Sequence, residues 1–215
     1  MNIKKQLMEF YDRNVMIRET TEKSPWKIML RQRFVDLVKA RGLGSLLEIG
    51  AGTGQDSCFF RANGIKVTCI DLSPRHIELC RDKGLDGHVM DFYQMKFIDG
   101  SFDALYAMNC LLHVPLNDLD EVLKELKRVV SDDGIFYIGN YGGRNSEEVK
   151  ETSNGIGKRF FSFSEYDEYK RKLKEAGFEM IESGMVESEK GFCFNYYLMG
   201  KKIGAEQNAA GLERK

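Results

Sequence analysis

The sequence has few of the residues that build disulfide frameworks or metal sites. Its 215 residues include five cysteines, none in a CxxC pair, and three histidines. This usage is typical of reduced thiols in a cytoplasmic protein and indicates no structural zinc site. No apolar run is long enough to cross a bilayer, and charges interrupt the N-terminal segment where a secretion signal would lie. We therefore predict a cytoplasmic protein with no metal and no membrane partner.

The sequence also lacks a strong net charge. It has 32 lysines and arginines against 33 aspartates and glutamates, a formal net charge of -1. Because so balanced a chain exerts no strong overall field, we expect no nucleic-acid partner. The length fits one domain of ordinary size. We predict a monomer or a homodimer.

Strands and helices alternate from residue 45 onwards. Short apolar segments at 45–50 and 66–71 are typical of buried strands, and amphipathic segments with helical spacing separate such strands. This alternation predicts a parallel sheet with crossover helices. Two later segments, 178–187 and 191–199, predict an antiparallel hairpin at one edge of the sheet.

The remaining segments differ from this pattern. Residues 1–18 predict one N-terminal helix, and Ser24 with Pro25 begins a second one. Residues 142–158 are polar and contain glycine, so a surface loop or a partly helical insertion is expected. Ser164, followed by Asp167, predicts a capping box at the start of a late helix. The small and charged residues 203–215 predict a disordered tail.

A glycine loop carries most of the functional information. The segment LLEIGAGTGQD places Gly50, Gly52 and Gly54 between a buried strand and a helix. Glycine permits positive φ and close approach of a ligand, and the helix directs its N-terminal amides into the same space. Asp71 ends the next strand about 20 residues later, where a carboxylate can bind a ribose diol. The alternative is a tight turn, with Asp71 capping the following helix.

The charge of the loop indicates which nucleoside ligand it would bind. A dinucleotide fingerprint requires a third small residue where this chain has Gln55. Glu48, two residues before Gly50, would repel a pyrophosphate and favour a cationic ligand. S-adenosylmethionine (SAM) carries a sulfonium and an ammonium group, so it suits the loop better than a nicotinamide dinucleotide. A nicotinamide oxidoreductase remains the competing hypothesis.

Several segments in order resemble the motifs of class I SAM-dependent methyltransferases. LLEIGAGTG resembles the first motif, CIDLSP the second and HVMDFYQMKF the third, and FDALYAMNCLLHVP and LKRVVSDDGIFYIGNY resemble the later strands and their loops. The resemblance spans residues 45–141. It implies an α/β fold, namely a three-layer Rossmann-like sandwich with a mostly parallel seven-stranded sheet and an antiparallel edge hairpin. It also implies a helical lid at 1–44, a methyltransferase domain at 45–202 and the tail at 203–215.

The resemblance further implies which residues surround the cofactor. Asp71 would bind the ribose, Asp91 the adenine amino group, and the Phe92 amide the adenine ring. His76 stands where many members place a methionine against the adenine, although it could equally be an exposed helix residue. Tyr11 of the lid could touch the methionine end of SAM. The implied cofactor-binding residues are Glu48, Gly50, Ala51, Gly52, Gly54, Asp71, Leu72, His76, Asp91, Phe92, Asn109 and Tyr11.

Two residues are candidates for the chemistry of methyl transfer. Because SAM is already activated, the protein mainly aligns the reactants, and a base is needed only if the acceptor must lose a proton. His113, after the fourth strand, is the candidate base, and Tyr141 could orient the acceptor. The alternatives are that His113 bonds the backbone and that Tyr141 is an ordinary boundary aromatic residue. The aromatic segment 159–163 could line the acceptor pocket or only clasp the sheet edge.

The sequence thus predicts a SAM-dependent methyltransferase that acts on a small molecule. The stretch after the fourth strand lacks the Asn-Pro-Pro-aromatic signature of enzymes that methylate base amino groups, which disfavours those acceptors. The alternatives are a protein or RNA methyltransferase and a non-catalytic SAM-binding module.

Overall fold

Two β-sheets form the framework of the molecule. The computed structural model describes residues 3–151, 157–187 and 193–201. Its strands are β1 (Ser45–Ile49), β2 (Lys66–Asp71), β3 (Asp86–Val89), β4 (Phe102–Met108), β5 (Val130–Gly142), β6 (Ser146–Glu151), β7 (Lys158–Phe163), β8 (Phe178–Glu187) and β9 (Cys193–Lys201). The main sheet has seven strands in the order β3-β2-β1-β4-β5-β9-β8, and β6 pairs with β7 separately.

The strand directions confirm the predicted fold class. Strands β3, β2, β1, β4 and β5 run parallel, whereas β9 is antiparallel to both β5 and β8. The chain moves outward from β1 to β2 and β3 and then returns to place β4 on the other side of β1. This reversal creates a crevice at the carboxyl ends of β1 and β4, where open α/β sheets bind ligands.

In the part of the chain that the structure describes, three helices precede the first strand, and four more lie between later strands. They are α1 (Ile3–Arg13), α2 (Val15–Thr20), α3 (Pro25–Ala40), α4 (Gln55–Ala62), α5 (Pro74–Asp82), α6 (Leu119–Val129) and α7 (Tyr166–Glu175), with a 3-10 turn at Leu111–His113. No helix among the described residues is both long and apolar enough to cross a membrane.

The main sheet is buried on both of its faces. In β4, Leu105 joins the core cluster that contains Leu123 of α6, whereas Tyr106 joins the cluster that contains Phe34 of α3. Successive residues of a strand point to opposite faces, so one buried strand contributes to both clusters. The result is the three-layer arrangement that the resemblance implied, with the helices on both faces of the sheet.

The N-terminal region forms two helices where one was predicted over residues 1–18. Asn14 lies between α1 and α2, and its side-chain amide donates a hydrogen bond of 2.7 Å to the carbonyl oxygen of Phe10. Asparagine side chains compete in this way with the helical backbone pattern. The break directs α1 across the sheet, where it packs against β7 and α5.

The prediction of a loop or partly helical insertion at 142–158 is wrong. Residues 146–151 form β6, which pairs antiparallel with β7. The exposure of β6 alternates along the strand, but its sequence SEEVKE is mostly polar and gives little hydrophobic pattern. Its partner supplies the aromatic side chains, so the hairpin depends on pairing between two segments and not on either one alone.

Two other local predictions have different outcomes. The capping box at Ser164 is wrong, because α7 begins after Glu165, which makes no side-chain capping bond. Ser164 is instead buried, and its carbonyl accepts a hydrogen bond of 3.2 Å from the amide of Gly143. The predicted tail at 203–215 lies outside the described residues.

Candidate active site

A cavity of about 950 Å³ opens at the carboxyl ends of β1, β2 and β4. Helix α1 and strand β7 contribute to its outer wall. The predicted site residues meet here, with the exception of Gly54. Those that line the cavity are Tyr11, Glu48, Gly50, Ala51, Gly52, Asp71, Leu72, His76, Asp91, Phe92, Asn109, His113 and Tyr141. Cavities of this size can hold a drug-sized ligand, with room for a second small molecule.

The glycine loop is shaped by backbone conformation and close packing. Gly50, Gly52 and Gly54 all have positive φ, at 62°, 56° and 79°. A Cβ on Gly50 would lie 2.4 Å from the Cβ of Cys110, so this residue must be glycine for the loop to sit against the end of β4. A Cβ on Gly54 would lie 2.7 Å from Leu85, on the side away from the cavity. Gly54 therefore packs α4 against its neighbours and does not line the site.

Asp71 joins the end of β2 to this loop. Its Oδ2 accepts a hydrogen bond of 2.8 Å from the Gly52 amide, and its Oδ1 accepts one of 2.9 Å from the Ser73 amide. A carboxylate has about four acceptor positions, so each oxygen can accept another hydrogen bond from a ligand. The backbone contacts fix the orientation of the carboxylate before any ligand arrives.

Glu48 is a buried acid beneath the loop. It is 3% exposed, and the hydroxyl of Ser57 donates a hydrogen bond to its Oε2. Burial raises the pKa of Glu48 well above its usual value, and the nearby charge of Asp56 raises it further. Asp56 is itself paired with Lys23 at 2.9 Å and Arg31 at 2.7 Å. A cation bound above Glu48 would favour its ionised form.

Asp91 is paired with a residue of the N-terminal helix. Its Oδ2 lies 2.5 Å from Nζ of Lys4, and its Oδ1 accepts a hydrogen bond of 3.0 Å from the Tyr93 amide. The Lys4 ammonium also lies 3.5 Å from the centroid of the Tyr93 ring. A ligand that used the Asp91 side chain would share it with Lys4 or displace it.

His76 and Asn109 present unpaired polar atoms at the cavity. His76 is 2% exposed, so it is not an exposed helix residue. Neither ring nitrogen has a hydrogen-bond partner among the described residues, and Nδ1 lies 3.5 Å from Oδ1 of Asp71. Asn109 has a positive φ of 56°, and its buried Oδ1 also has no partner in the described part of the chain. Buried polar atoms are usually hydrogen-bonded, so these atoms suit a bound ligand.

His113 is fixed at the other end of the cavity. Its Nδ1 lies 2.6 Å from the carbonyl oxygen of Phe160, and its Nε2 lies 2.7 Å from the hydroxyl of Tyr11. A carbonyl oxygen only accepts, so Nδ1 carries the proton and Nε2 accepts the hydrogen of Tyr11. Burial lowers the pKa of His113 to about 4. The ring is therefore neutral near pH 7, and its lone pair is already engaged.

The structure also places cations that the sequence prediction missed at this end. Arg18, Lys23 and Lys27, from the N-terminal helices and the segment between them, line the cavity together with Tyr141 and Arg159. Arg159 belongs to the aromatic segment predicted as a possible acceptor pocket. The other three belong to no recognisable motif, so no sequence signal connects them with the site.

The described residues contain no group of three or more histidine, cysteine, aspartate or glutamate side chains that could hold a metal ion. The chemical groups of the cavity divide into two sets instead. Acids lie around the glycine loop, while aromatic rings and cations lie around His113. Such an arrangement can hold a cationic nucleoside beside a second molecule.

Comparison with known proteins agrees with this geometry. Residues 47–138 match the family model described as a methyltransferase domain. A curated relative, the 27-O-demethylrifamycin SV methyltransferase of Amycolatopsis mediterranei (strain S699), is 28% identical over 163 residues, which cover 70% of this chain and 59% of that protein. The chain spans a similar share, 53%, of the methyltransferase GfsG of Streptomyces halstedii. The chain thus spans only about half to three fifths of the length of these relatives.

Solved structures share the fold at lower identity. The Burkholderia thailandensis 1,6-didemethyltoxoflavin-N1-methyltransferase, solved with S-adenosylhomocysteine (SAH), superposes with a TM-score of 0.65 at 20% identity, covering 86% of this chain and 93% of its own. The [4+2]-cyclase SpnF superposes with a TM-score of 0.71, also at 20% identity, covering 94% and 97%. These likenesses support the three-layer fold.

The fold and the glycine-loop cavity define a Rossmann-like α/β domain with a pocket for a nucleoside cofactor. The match of residues 47–138 to the methyltransferase-domain model shows that this part of the chain is similar to methyltransferases. The comparison thus supports the family predicted from the sequence motifs.

Proposed function

We propose that this chain transfers a methyl group from SAM to a small-molecule acceptor. The observation that carries the proposal is that one continuous cavity is lined by both the glycine loop and His113. SAM supplies an activated methyl group on its sulfonium when it is bound. Residues of this chain would hold the two reactants in line, and orientation of this kind is worth about 7–11 kcal/mol.

The residues present fit the cofactor. The preoriented carboxylate of Asp71 would accept hydrogen bonds from the ribose, and Glu48 would complement the positive charges. The unpaired Oδ1 of Asn109 and the ring nitrogens of His76 offer further partners. Asp91 would bind the adenine amino group after exchanging its contact with Lys4. Leu72, Phe92 and the backbone of Ala51 would complete the cofactor wall.

The enclosure of the other end favours a small acceptor. Helix α1 packs against β7, and Tyr11 of α1 is bonded to His113. This supports α1, within the predicted lid of residues 1–44, as a cover over the site, whereas α3 packs in the core against the sheet. The rifamycin relative is a methyltransferase named for a small-molecule acceptor, which supports the same class of acceptor here. The cytoplasmic location and the state of monomer or homodimer stay predictions.

The hydrogen-bond pattern supports a positioning role for His113. Its Nε2 accepts a hydrogen bond from Tyr11, and its low pKa disfavours the imidazolium that base catalysis would form. We therefore assign the Tyr11–His113 pair and Tyr141 to alignment of the acceptor. This revises the expectation that His113 serves as a general base.

Cofactor binding is the first test of the proposal. We expect calorimetry to show micromolar binding of SAM and SAH, about -8 kcal/mol. Asp71→Asn should weaken both about 10- to 100-fold, because a hydrogen bond to a charged group is lost. Asp133→Asn, which alters an exposed acid near the start of β5, is the matched control. Absence of heat with the wild-type protein, or unchanged binding by Asp71→Asn, would refute the cofactor site.

Transfer itself requires a second measurement, because the fold also occurs in a protein named as a cyclase. Labelled methyl groups from SAM should appear in small molecules when the protein is mixed with a fractionated extract. Label confined to protein or RNA would contradict the proposed acceptor class. Binding of SAM with no label in any fraction would indicate a non-catalytic module.

A further inference from the structure

Three cations at the acceptor end of the cavity have no carboxylate partner among the described residues. They are Arg18 of α2, Lys27 of α3 and Arg159 of β7. Each rests on an aromatic ring instead. Cζ of Arg18 lies 5.4 Å from the centroid of Tyr11, Nζ of Lys27 lies 5.1 Å from that of Tyr141, and Cζ of Arg159 lies 4.8 Å from that of Phe161.

This contact with rings differs from the pairing found elsewhere in the cavity. Lys4 is neutralised by Asp91 at 2.5 Å, and Lys23 by Asp56 at 2.9 Å. An aromatic face positions a cation through its quadrupole but carries no net charge to cancel that of the cation. Glu22 is the acid on the same rim, and it is exposed and forms no ion pair within the described residues. Counted over the described residues, Arg18, Lys27 and Arg159 outnumber the nearby acids Glu22 and Asp71, so this end keeps a net positive charge.

The cations also shift the pKa values of two titratable groups at this end, His113 and Lys27. The charges of Arg159 and Arg18 add to burial in lowering the pKa of His113. Burial lowers the pKa of Lys27 to about 8, with Lys23 and Arg18 lowering it further and Asp56 opposing them. The three cations therefore act electrostatically on the same part of the cavity.

We propose that the acceptor is an anionic small molecule whose carboxylate or phosphate group binds Arg18, Lys27 and Arg159. The inference deepens the proposed function and rests on it for the role of the bound molecule as acceptor. Arginine binds either oxyanion through a planar fork of donors, and lysine adds a compact charge. Leu112 and Phe161, which line the same end, would contact the apolar part of the molecule.

The single tryptophan provides a direct readout of this site. Trp26 is the only tryptophan of the chain, and Nζ of Lys27 lies 5.2 Å from its ring centroid. An anion bound at Lys27 should therefore change the Trp26 fluorescence. The probes are benzoate and phenyl phosphate, each compared with a neutral partner, benzamide and phenol, in the presence of saturating SAH. We expect each acid to bind at least about tenfold more tightly than its partner.

Substitutions of the cavity cations test which residues bind the acids. Lys27→Gln and Arg159→Gln should each weaken binding of the acids about tenfold and leave the SAH affinity unchanged. Lys124→Gln, which alters an exposed lysine of α6 outside the cavity, is the matched control. A preference for phenyl phosphate over benzoate would assign the group as phosphate, and the reverse preference would assign a carboxylate.

The outcomes separate this inference from the proposed function. Equal binding of acids and neutral partners, no binding of either acid, or unchanged binding by both cavity variants would overturn the anion site. If SAH binds normally in that case, the proposed cofactor site stands. Conversely, a strong preference for acids by a protein that binds neither SAM nor SAH would support the anion site and refute the proposed function.

Discussion

Acid should destabilise this protein partly through one residue, His113. Burial lowers the pKa of His113 from 6.5 to about 4 in the folded protein, while the unfolded chain exposes the ring to water. Between these values the unfolded state binds more protons, so stability falls as the pH falls. A group of this kind lowers the free energy of unfolding by about 2 kcal/mol between pH 7.5 and pH 5.

Urea unfolding at several pH values, monitored by circular dichroism, measures this loss in the free energy of unfolding. Carboxylates also titrate in this range, so the difference between two proteins isolates the histidine. We expect wild type to lose about 2 kcal/mol more than His113→Gln between pH 7.5 and pH 5. His88→Gln is the matched control, because the His88 side chain is 42% exposed at the end of the sheet. It should lose stability in parallel with wild type.

Parallel pH profiles for wild type and His113→Gln would refute the reasoning. They would mean that His113 titrates alike in the folded and unfolded states, and its assignment as a neutral positioning residue would fail. A general base near the acceptor would then be compatible with the structure.

The remaining predictions concern the loop and the cation cluster. Gly54→Ala should cost about 2–4 kcal/mol, because it combines a positive φ with a Cβ 2.7 Å from Leu85 and 2.9 Å from Cys80. Gly64→Ala is the control, because Gly64 has a φ of 85° but no atom within 4 Å of its Cβ, so it should cost only about 1–2 kcal/mol. Equal losses of stability for the two variants in urea unfolding would contradict the packing role of Gly54. The affinity for benzoate should fall between pH 7 and pH 9 as Lys27, with a pKa of about 8, loses its proton. Lys27→Gln should lack that dependence, so an unchanged pH profile in fluorescence titrations would exclude Lys27 from the site.

The sequence by itself determined the alternating fold and the cofactor end of the cavity. The glycine loop and Asp71 lie on consecutive elements of one strand–helix–strand unit, and parallel strands bring their carboxyl ends to the same edge. Hydrophobic spacing and glycine positions are local properties, so they can be recognised without knowing the packing. The β6–β7 hairpin was not predicted, because β6 is mostly polar and shows little hydrophobic spacing.

Only the tertiary structure decided how the acceptor end is built. Tyr11 and His113 are 102 positions apart in sequence, and Lys4 and Asp91 are 87 positions apart, yet each pair is in direct contact. Periodicity shows that α1 buries one face but does not specify which surface covers that face. That Lys27 has no carboxylate partner within the described part of the chain likewise depends on which side chains surround it in three dimensions. Distant pairing of this kind arises from packing of the whole chain and leaves no local pattern in the sequence.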